Sequence, residues 1–260
     1  MTNILVNKDK IRSFNCTTEV PGDKSISIRW ILFASLASGI SKSSNLLISE
    51  DVKAAIKAIR KLGIKVIVKN KECLIYGKGL NGYNYRKNIK IDAQNSGTLA
   101  RLLPGLLINS KHQLKIVGDT SLSKRDFKRI AEPLKKFGAI LSLKNDYKLP
   151  LTIKGSKNLK PIKYFEKRGS AQCKSSIILA GLRTEGTTEI RAKKSRNHTE
   201  LLCKYLNLPI RIIKKKNYDL IKIKKAKKIK CFNYKIPSDI SSSAFFIVLT
   251  SLTKNSKLII

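Results

Sequence analysis

Long hydrophobic runs are missing from this 260-residue sequence. The longest apolar stretches, residues 30–40 and 244–250, are broken by small or polar residues and fall well short of a bilayer span. The opening residues, MTNILVNKDK, lack the continuous apolar centre of a secretory signal, so a cytoplasmic location is expected. Histidine is scarce, with only His112 and His198, and no metal site is expected. The five cysteines, Cys16, Cys73, Cys173, Cys203 and Cys231, are odd in number and include no C-x-x-C pair. Free thiols in a reducing compartment are therefore expected. Acidic residues are also few: 17, against 54 lysines and arginines, for a net charge of +37.

A charge of that sign attracts nucleic acid, anionic membrane or anionic small molecules. The lysines are spread along the whole chain and gather into no single tail. Their densest runs, residues 214–216 and 222–230, interleave with isoleucine, as in strands with one lysine-covered solvent face. Lysine, isoleucine and asparagine are all abundant, which fits compositional drift in an AT-rich genome. No RNA- or DNA-binding motif is present, so neither a specific nucleic acid nor a membrane is expected as a partner. The apolar fraction of 42% is that of a globular protein.

One pattern occurs three times, at residues 50–77, 129–155 and 199–224. Each copy opens with an amphipathic helix; Val52, Ile56, Ile59 and Leu62 share one face in the first. Each helix meets a stop signal, Gly63, Gly138, or Asn207 with Pro209. Two strands follow, joined by the polar turns KNKE, KNDYK and KKNYD. Ahead of two copies lie a further strand and helix: residues 89–91 then 98–108, and residues 164–165 then 175–182. Each unit thus reads βαβαββ, and units of this kind bury their faces only when packed together. A fourth begins near Pro237 with SDISSSAFFIVLTSLT.

Several helix starts carry ligand-binding chemistry. In VPGDKSISIRW the turn Pro21, Gly22 and Asp23 leads into a helix at Lys24 or Ser25, whose free N–H groups favour an anion. Lys24 adds a point charge and Ser25 a hydroxyl. Arg29, one turn on, can fork onto a carboxylate or phosphate. In DAQNSGTLARLL, Asn95, Ser96 and Thr98 are cap-forming residues around Gly97, where a ligand can approach the backbone closely. Lys124 and Arg125 precede a third helix; Ser170, Ala171 and Gln172 open a fourth; Arg196 precedes a capping-box-like His-Thr-Glu. Taken singly, each is also what an ordinary capped helix looks like. The segment GKGLNG matches G-x-G-x-x-G, but the residues after it are strand-like, so dinucleotide binding is rejected.

Together, PGDKS-x-S-x-R, NSGT-x-x-R, GD-x-SL-x-KR, SAQ-x-KS and SR-x-HTE, in this order from residue 20 to 200, resemble the EPSP synthase family. The SAQ and GD-x-SL forms are closer to one bacterial branch of the family than to the enteric one. The resemblance implies an α/β (α+β) enolpyruvyl-transferase fold, an inside-out barrel of βαβαββ repeats with helices at the centre. It implies a complete three-unit domain over residues 19–237, with 1–18 and 238–260 belonging to a second domain. It also implies transfer of the enolpyruvyl group of phosphoenolpyruvate to the 5-hydroxyl of shikimate 3-phosphate, without a cofactor, by a monomer. The family's site falls on Lys24, Ser25, Arg29, Ser170, Ala171, Gln172 and Arg196 for shikimate 3-phosphate, and on Lys24, Gly97, Arg125 and Gln172 for phosphoenolpyruvate.

Three positions depart from the family pattern: Asp126 stands where proline follows Lys-Arg, Asn197 where aspartate precedes His-Thr-Glu, and Ser238 where glycine precedes aspartate. The family's catalytic aspartate, its Glu-Lys-x-x-Arg cluster and its Asn-Asp-His-Arg segment match nothing within these 260 residues, so a truncated form is expected, with no catalytic residue before Ile260. A non-catalytic binding protein remains open beside the transferase. The related transferase acting on UDP-N-acetylglucosamine fits less well: the first motif is Asp-Lys-Ser, and no cysteine lies in residues 110–130.

Overall fold

The computed structural model describes residues 12–144 and 147–260. Strand β1 (Asn15–Thr17) precedes α1 (Lys24–Leu36), β2 (Ser38–Ser44), α2 (Glu50–Lys61), β3 (Lys65–Lys69) and β4 (Glu72–Lys78). Next come β5 (Ile89–Asp92), α3 (Gly97–Leu106), β6 (Leu114–Val117), a short α4 (Thr120–Ser123), α5 (Lys128–Lys136), β7 (Ile140–Lys144) and β8 (Lys148–Lys154). A third unit runs β9 (Lys163–Glu166), α6 (Ala171–Gly181), β10 (Thr187–Lys193), α7 (His198–Tyr205), β11 (Ile210–Lys214) and β12 (Tyr218–Lys224). Strand β13 (Asn233–Lys235), α8 (Ile240–Leu252) and β14 (Lys257–Ile259) follow.

The repeat is visible down to its capping chemistry. Gly63, Gly138 and Asn207, the three stop signals, all have positive φ, at 85°, 101° and 51°. After each, the next residue's N–H returns to the carbonyl five positions back: Ile64 to Ile59, Ala139 to Leu134 and Leu208 to Cys203. This is the Schellman closure, which needs the left-handed conformation that glycine and asparagine tolerate. The centre of the second polar turn, residues 145–146, lies outside the described residues.

Each unit folds into its own four-stranded sheet, in the orders β5-β6-β8-β7 and β11-β12-β10-β9 for the second and third. In both, the first two strands in sequence pair in parallel and the closing hairpin is antiparallel. The first unit lacks an opening strand of its own, as its sequence implies. Strand β13 supplies it, pairing parallel to β2 with Tyr234 opposite Ser43, which gives the order β13-β2-β4-β3. The three sheets remain separate and do not join into one closed sheet.

The sheets surround a helical centre. Helix α3 is buried along its whole length, α1 from Ser27 to Leu36 and α6 from Cys173 to Gly181. Helices α1 and α6 carry apolar residues nearly all round and show none of the one-sided stripe of α2. The strands alternate as their sequences do: Leu149, Leu151 and Ile153 point inward on β8, Ile221 and Ile223 on β12, and the lysines face solvent. Helix α6 begins at Ala171, capped by Ser170, at the helix start that Ser170, Ala171 and Gln172 mark in the sequence and four residues ahead of the apolar segment 175–182. No helix follows GKGLNG; a turn leads into β5.

The first and last described segments run together. Strands β1 and β14 pair in parallel, and Gly22 bridges Ser238. Asp23 N–H donates to Pro237 O and Asp239 N–H to Pro21 O. Of the expected segment 1–18, residues 1–11 lie outside the described part. Helix α8 leaves Phe245 and Leu252 each 80% exposed. All five cysteines are free, with Cys73, Cys173 and Cys203 buried. Among the described residues no helix is long and apolar enough to cross a membrane.

Candidate anion-binding site

Three helices that open beside one another lack the acidic first turn that usually neutralises a helix start. Helix α2 has Glu50 and Asp51 there, whereas α1, α3 and α6 have none. Within their first turns the positive ends of these dipoles meet no acidic side chain. Each has its own cap: Asp23 Oδ1 accepts from Ile26 N–H at 2.7 Å, Ser96 Oγ from Leu99 N–H and Ser170 Oγ from Cys173 N–H. The caps of α3 and α6 are hydroxyls, whereas Asp23 sets a carboxylate at the start of α1.

Side chains tie these helix starts into one network. Arg29, 3% exposed, donates to Thr199 Oγ1 on α7 at 2.8 Å and to Ser175 Oγ on α6 at 3.2 Å. It also donates to Ser25 O at 2.9 Å, and Ser175 and Thr199 share a 2.7 Å hydrogen bond. On the other side, Gln172 Oε1 accepts from Arg101 Nη1 at 2.7 Å while its amide donates to Thr98 Oγ1 at 3.1 Å. Arg125 donates to Asn95 Oδ1 at 2.6 Å and stands over Gly97. A Cβ at Gly97 would lie 2.8 Å from Arg101 Nη1 and 3.1 Å from Arg125 Nη1, so two guanidiniums close over this backbone.

Lys24 is exposed and pairs with Asp51 Oδ2 at 2.9 Å. An exposed pair of this kind is worth little and releases readily. Ser25, Ser170, Ala171 and Gln172 are half-buried; Arg125 and Arg196 are exposed. Every residue expected from the sequence therefore sits on or beside this one network, except that Arg29 is more deeply buried than its spacing implied. Three of its five N–H groups are spent inside the protein and two remain.

The electrostatics reflect a surplus of cations. Burial pulls the Arg29 guanidinium down to about 10, with Glu200 and Asp23 pulling it back up and Arg196 pushing it further down. Arg101 is drawn down to about 10 by burial and then by Arg129 and Arg125. Both stay charged at neutral pH, but each gains from an arriving anion. The His198 imidazole is lowered by burial and then by Arg29, so it is neutral where it packs. The Cys173 thiol, pushed up to about 12 by burial, is no nucleophile.

The departures have local explanations. Asp126 turns its carboxylate onto Arg168 at 3.2 Å and caps Lys128 N–H at 2.6 Å, away from Arg125. Asn197 is the residue before α7 and makes no side-chain cap bond. Ser238 meets Gly22 through backbone alone. Sequence reasoning passed over Thr98, Arg101, Ser175 and Thr199 as site members. The signal for Arg101 was its place one turn beyond Gly97; Lys174, a lone charge in an otherwise uncharged helix, was the signal for a buried ion pair with Glu200 at 2.6 Å.

The fold and this network define a repeat-built α/β protein whose central helices open side by side, with several arginines and hydroxyls gathered at their starts. The EPSP synthase (3-phosphoshikimate 1-carboxyvinyltransferase) family model matches residues 8–260. The chain is 40% identical to the 3-phosphoshikimate 1-carboxyvinyltransferase of Caldicellulosiruptor bescii and 36% identical to that of Bacillus cytotoxicus. Each alignment runs over 258 residues, 98% of this chain and 59% of the relative. The solved EPSP synthase of Acinetobacter baumannii superposes with a TM-score of 0.86 at 36% identity, over 95% of this chain and 55% of that one. This chain belongs to the EPSP synthase family, and it spans about 59% of the length of the curated relatives it matches.

Proposed function

We propose that this chain carries the substrate-anchoring half of an EPSP synthase site. The reaction is transfer of the enolpyruvyl group of phosphoenolpyruvate to the 5-hydroxyl of shikimate 3-phosphate, with release of phosphate, in aromatic amino acid biosynthesis. The carrying observation is the junction of three adjacent helix starts by Arg29, Ser175 and Thr199 on one side and Gln172, Arg101 and Thr98 on the other. Both substrates are anions, and catalysis that brings two anions together depends first on charge and orientation.

Ser25, Ser170, Ala171, Gln172 and Arg196 hold shikimate 3-phosphate, with Arg29 beneath them fixing the Ser25 carbonyl and donating with its remaining N–H groups. Gly97, Arg125 and Gln172 hold phosphoenolpyruvate, the glycine letting the anion reach the α3 backbone. Lys24 leaves Asp51 and bridges the two substrates. Acid–base groups belong to the part of the family length that aligns with nothing here. Residues 19–237 form the anchoring domain, and residues 1–18 and 238–260 belong to a second one. A monomer in the cytoplasm, with no specific nucleic acid partner, completes the reading.

Calorimetry tests it. The chain should bind shikimate 3-phosphate, and Gln172→Ala should weaken binding by about tenfold or more, because a charged-group hydrogen bond is worth roughly 1.5–3 kcal/mol. Equal binding by the variant refutes the site. A phosphate-release assay separates anchoring from turnover: residues 1–260 alone should release none from the substrate pair, because a general acid or base must reach the transferred proton.

A further inference from the structure

Lys174 and Glu200 form an ion pair that is not among the proposed substrate contacts. Nζ and Oε1 are 2.6 Å apart, and the side chains are 0% and 2% exposed. Among the described residues, neither Lys174 Nζ nor Glu200 Oε2 has a hydrogen-bond partner, so the contact is a close charge pair with poor hydrogen-bond geometry. Such a pair is a poor source of stability, because desolvating two charges costs about as much as their attraction returns. Its position is more informative than its energy. Lys174 lies between Gln172 and Ser175 on α6, and Glu200 follows Thr199 on α7. Those three neighbours make the hydrogen bonds to Arg101, Thr98 and Arg29.

We propose that the Lys174–Glu200 pair is a positioning device: it fixes the register of α6 against α7, so that Gln172 and Arg29 present their free groups to one ligand. This rests on the anchoring role proposed above. The charge pair draws the two backbones to a set separation at a point where their other contacts are short hydroxyls. Glu200 is also close enough to Arg29 to favour its charged form. The pair acts through its neighbours and touches no substrate.

The test uses two single variants, Lys174→Met and Glu200→Gln, and the double variant Lys174→Met/Glu200→Leu. The double variant removes one charge of each sign, so the net charge near the ligand is unchanged. Replacing a buried ion pair by apolar groups of similar size is often neutral or stabilising, so its melting temperature should return to near the wild-type value. Binding of shikimate 3-phosphate should not return with it and should stay at least about tenfold weaker, since small displacements of positioning groups are costly. A double variant that regains both stability and wild-type affinity shows that the pair is only structural and overturns the proposal. If the double variant does not fold, Glu200→Gln decides. It removes a negative charge beside an anion site, so a purely electrostatic role predicts equal or tighter binding, and either result overturns positioning; weaker binding supports it. Wild-type protein that binds no shikimate 3-phosphate removes the anchoring role itself, and this inference with it.

Discussion

Gly97→Ala separates the stability of this protein from its chemistry. Gly97 is the first residue of α3, where alanine is the better helix former by at most about 1 kcal/mol. The added Cβ would lie 2.8 Å from Arg101 Nη1 and 3.1 Å from Arg125 Nη1, well inside the ~3.5 Å of an ordinary contact. Both atoms end flexible side chains, so the fold absorbs the methyl group by moving them. Arg101 Nη1 is also the atom that donates to Gln172 Oε1 at 2.7 Å, and a shift of about 0.7 Å takes that bond to the edge of hydrogen-bonding distance. One charged hydrogen bond lost at the mouth of the site costs roughly 1.5–3 kcal/mol, which is about tenfold to about a hundredfold in affinity. The melting temperature should be unchanged or slightly raised. Phosphoenolpyruvate binding, titrated on protein saturated with shikimate 3-phosphate, should fall by that factor, and shikimate 3-phosphate binding by less. A variant that melts normally and binds phosphoenolpyruvate as wild type does refutes the placement of that substrate over Gly97.

His198 is neutral in the fold because burial and Arg29 lower it, so the unfolded chain binds the proton more readily. Stability is then full above the unfolded value of about 6.5 and lost as pH falls below it, and His198→Gln should lose less on acidification, read as urea midpoints between about pH 7.5 and about pH 5.5. Phe245→Ser with Leu252→Ser should reduce light scattering at high protein concentration while changing stability by no more than about 0.5 kcal/mol per site, since both side chains are 80% exposed. Arg125→Lys should weaken phosphoenolpyruvate binding by about tenfold although the charge is kept, because the planar fork to Asn95 and ligand is lost; calorimetry showing equal affinity would refute a bidentate role.

The local parts of this fold were legible in the sequence. Gly63, Gly138 and Asn207 could be read as helix ends because few residues tolerate the left-handed conformation that the Schellman closure demands, and all three adopt it. The inward alternation of Leu149, Leu151 and Ile153 could be read because a strand has a period of two. The strand that completes the first sheet could not. Asn233–Lys235 is three residues long and pairs with Ser38–Ser44 almost two hundred positions earlier, and periodicity within a window carries no such information. The site divides in the same way. Spacing put Ser25 and Arg29 on one helix face, but depth depends on what packs over that face, and α7 packs over it, leaving Arg29 3% exposed. Gln172 was legible at a helix start; that it answers to Arg101 on another helix was not.

The composition and the site bear on each other through the choice of cation. Twelve of the 54 basic residues are arginines, which leaves 42 lysines. Fifteen of those lysines lie on strands of the three sheets, nearly all with the side chain toward solvent, where any solvated charge serves and an AT-rich code favours lysine. Four of the twelve arginines gather in one place. Arg29, Arg101, Arg125 and Arg196 lie in the network of helix starts or beside it, and Arg29 reaches Thr199, Ser25 and Ser175 with three N–H groups of one plane. A guanidinium is rigid, weakly hydrated and forked; a lysine is a mobile point charge. Where only charge matters the two are interchangeable, and a drifting composition shows through. Where geometry matters they are not. The arginines that join the helix starts, Arg29 above all, are therefore ones that lysine could not replace, whereas the sheet-face lysines could be exchanged without loss of geometry.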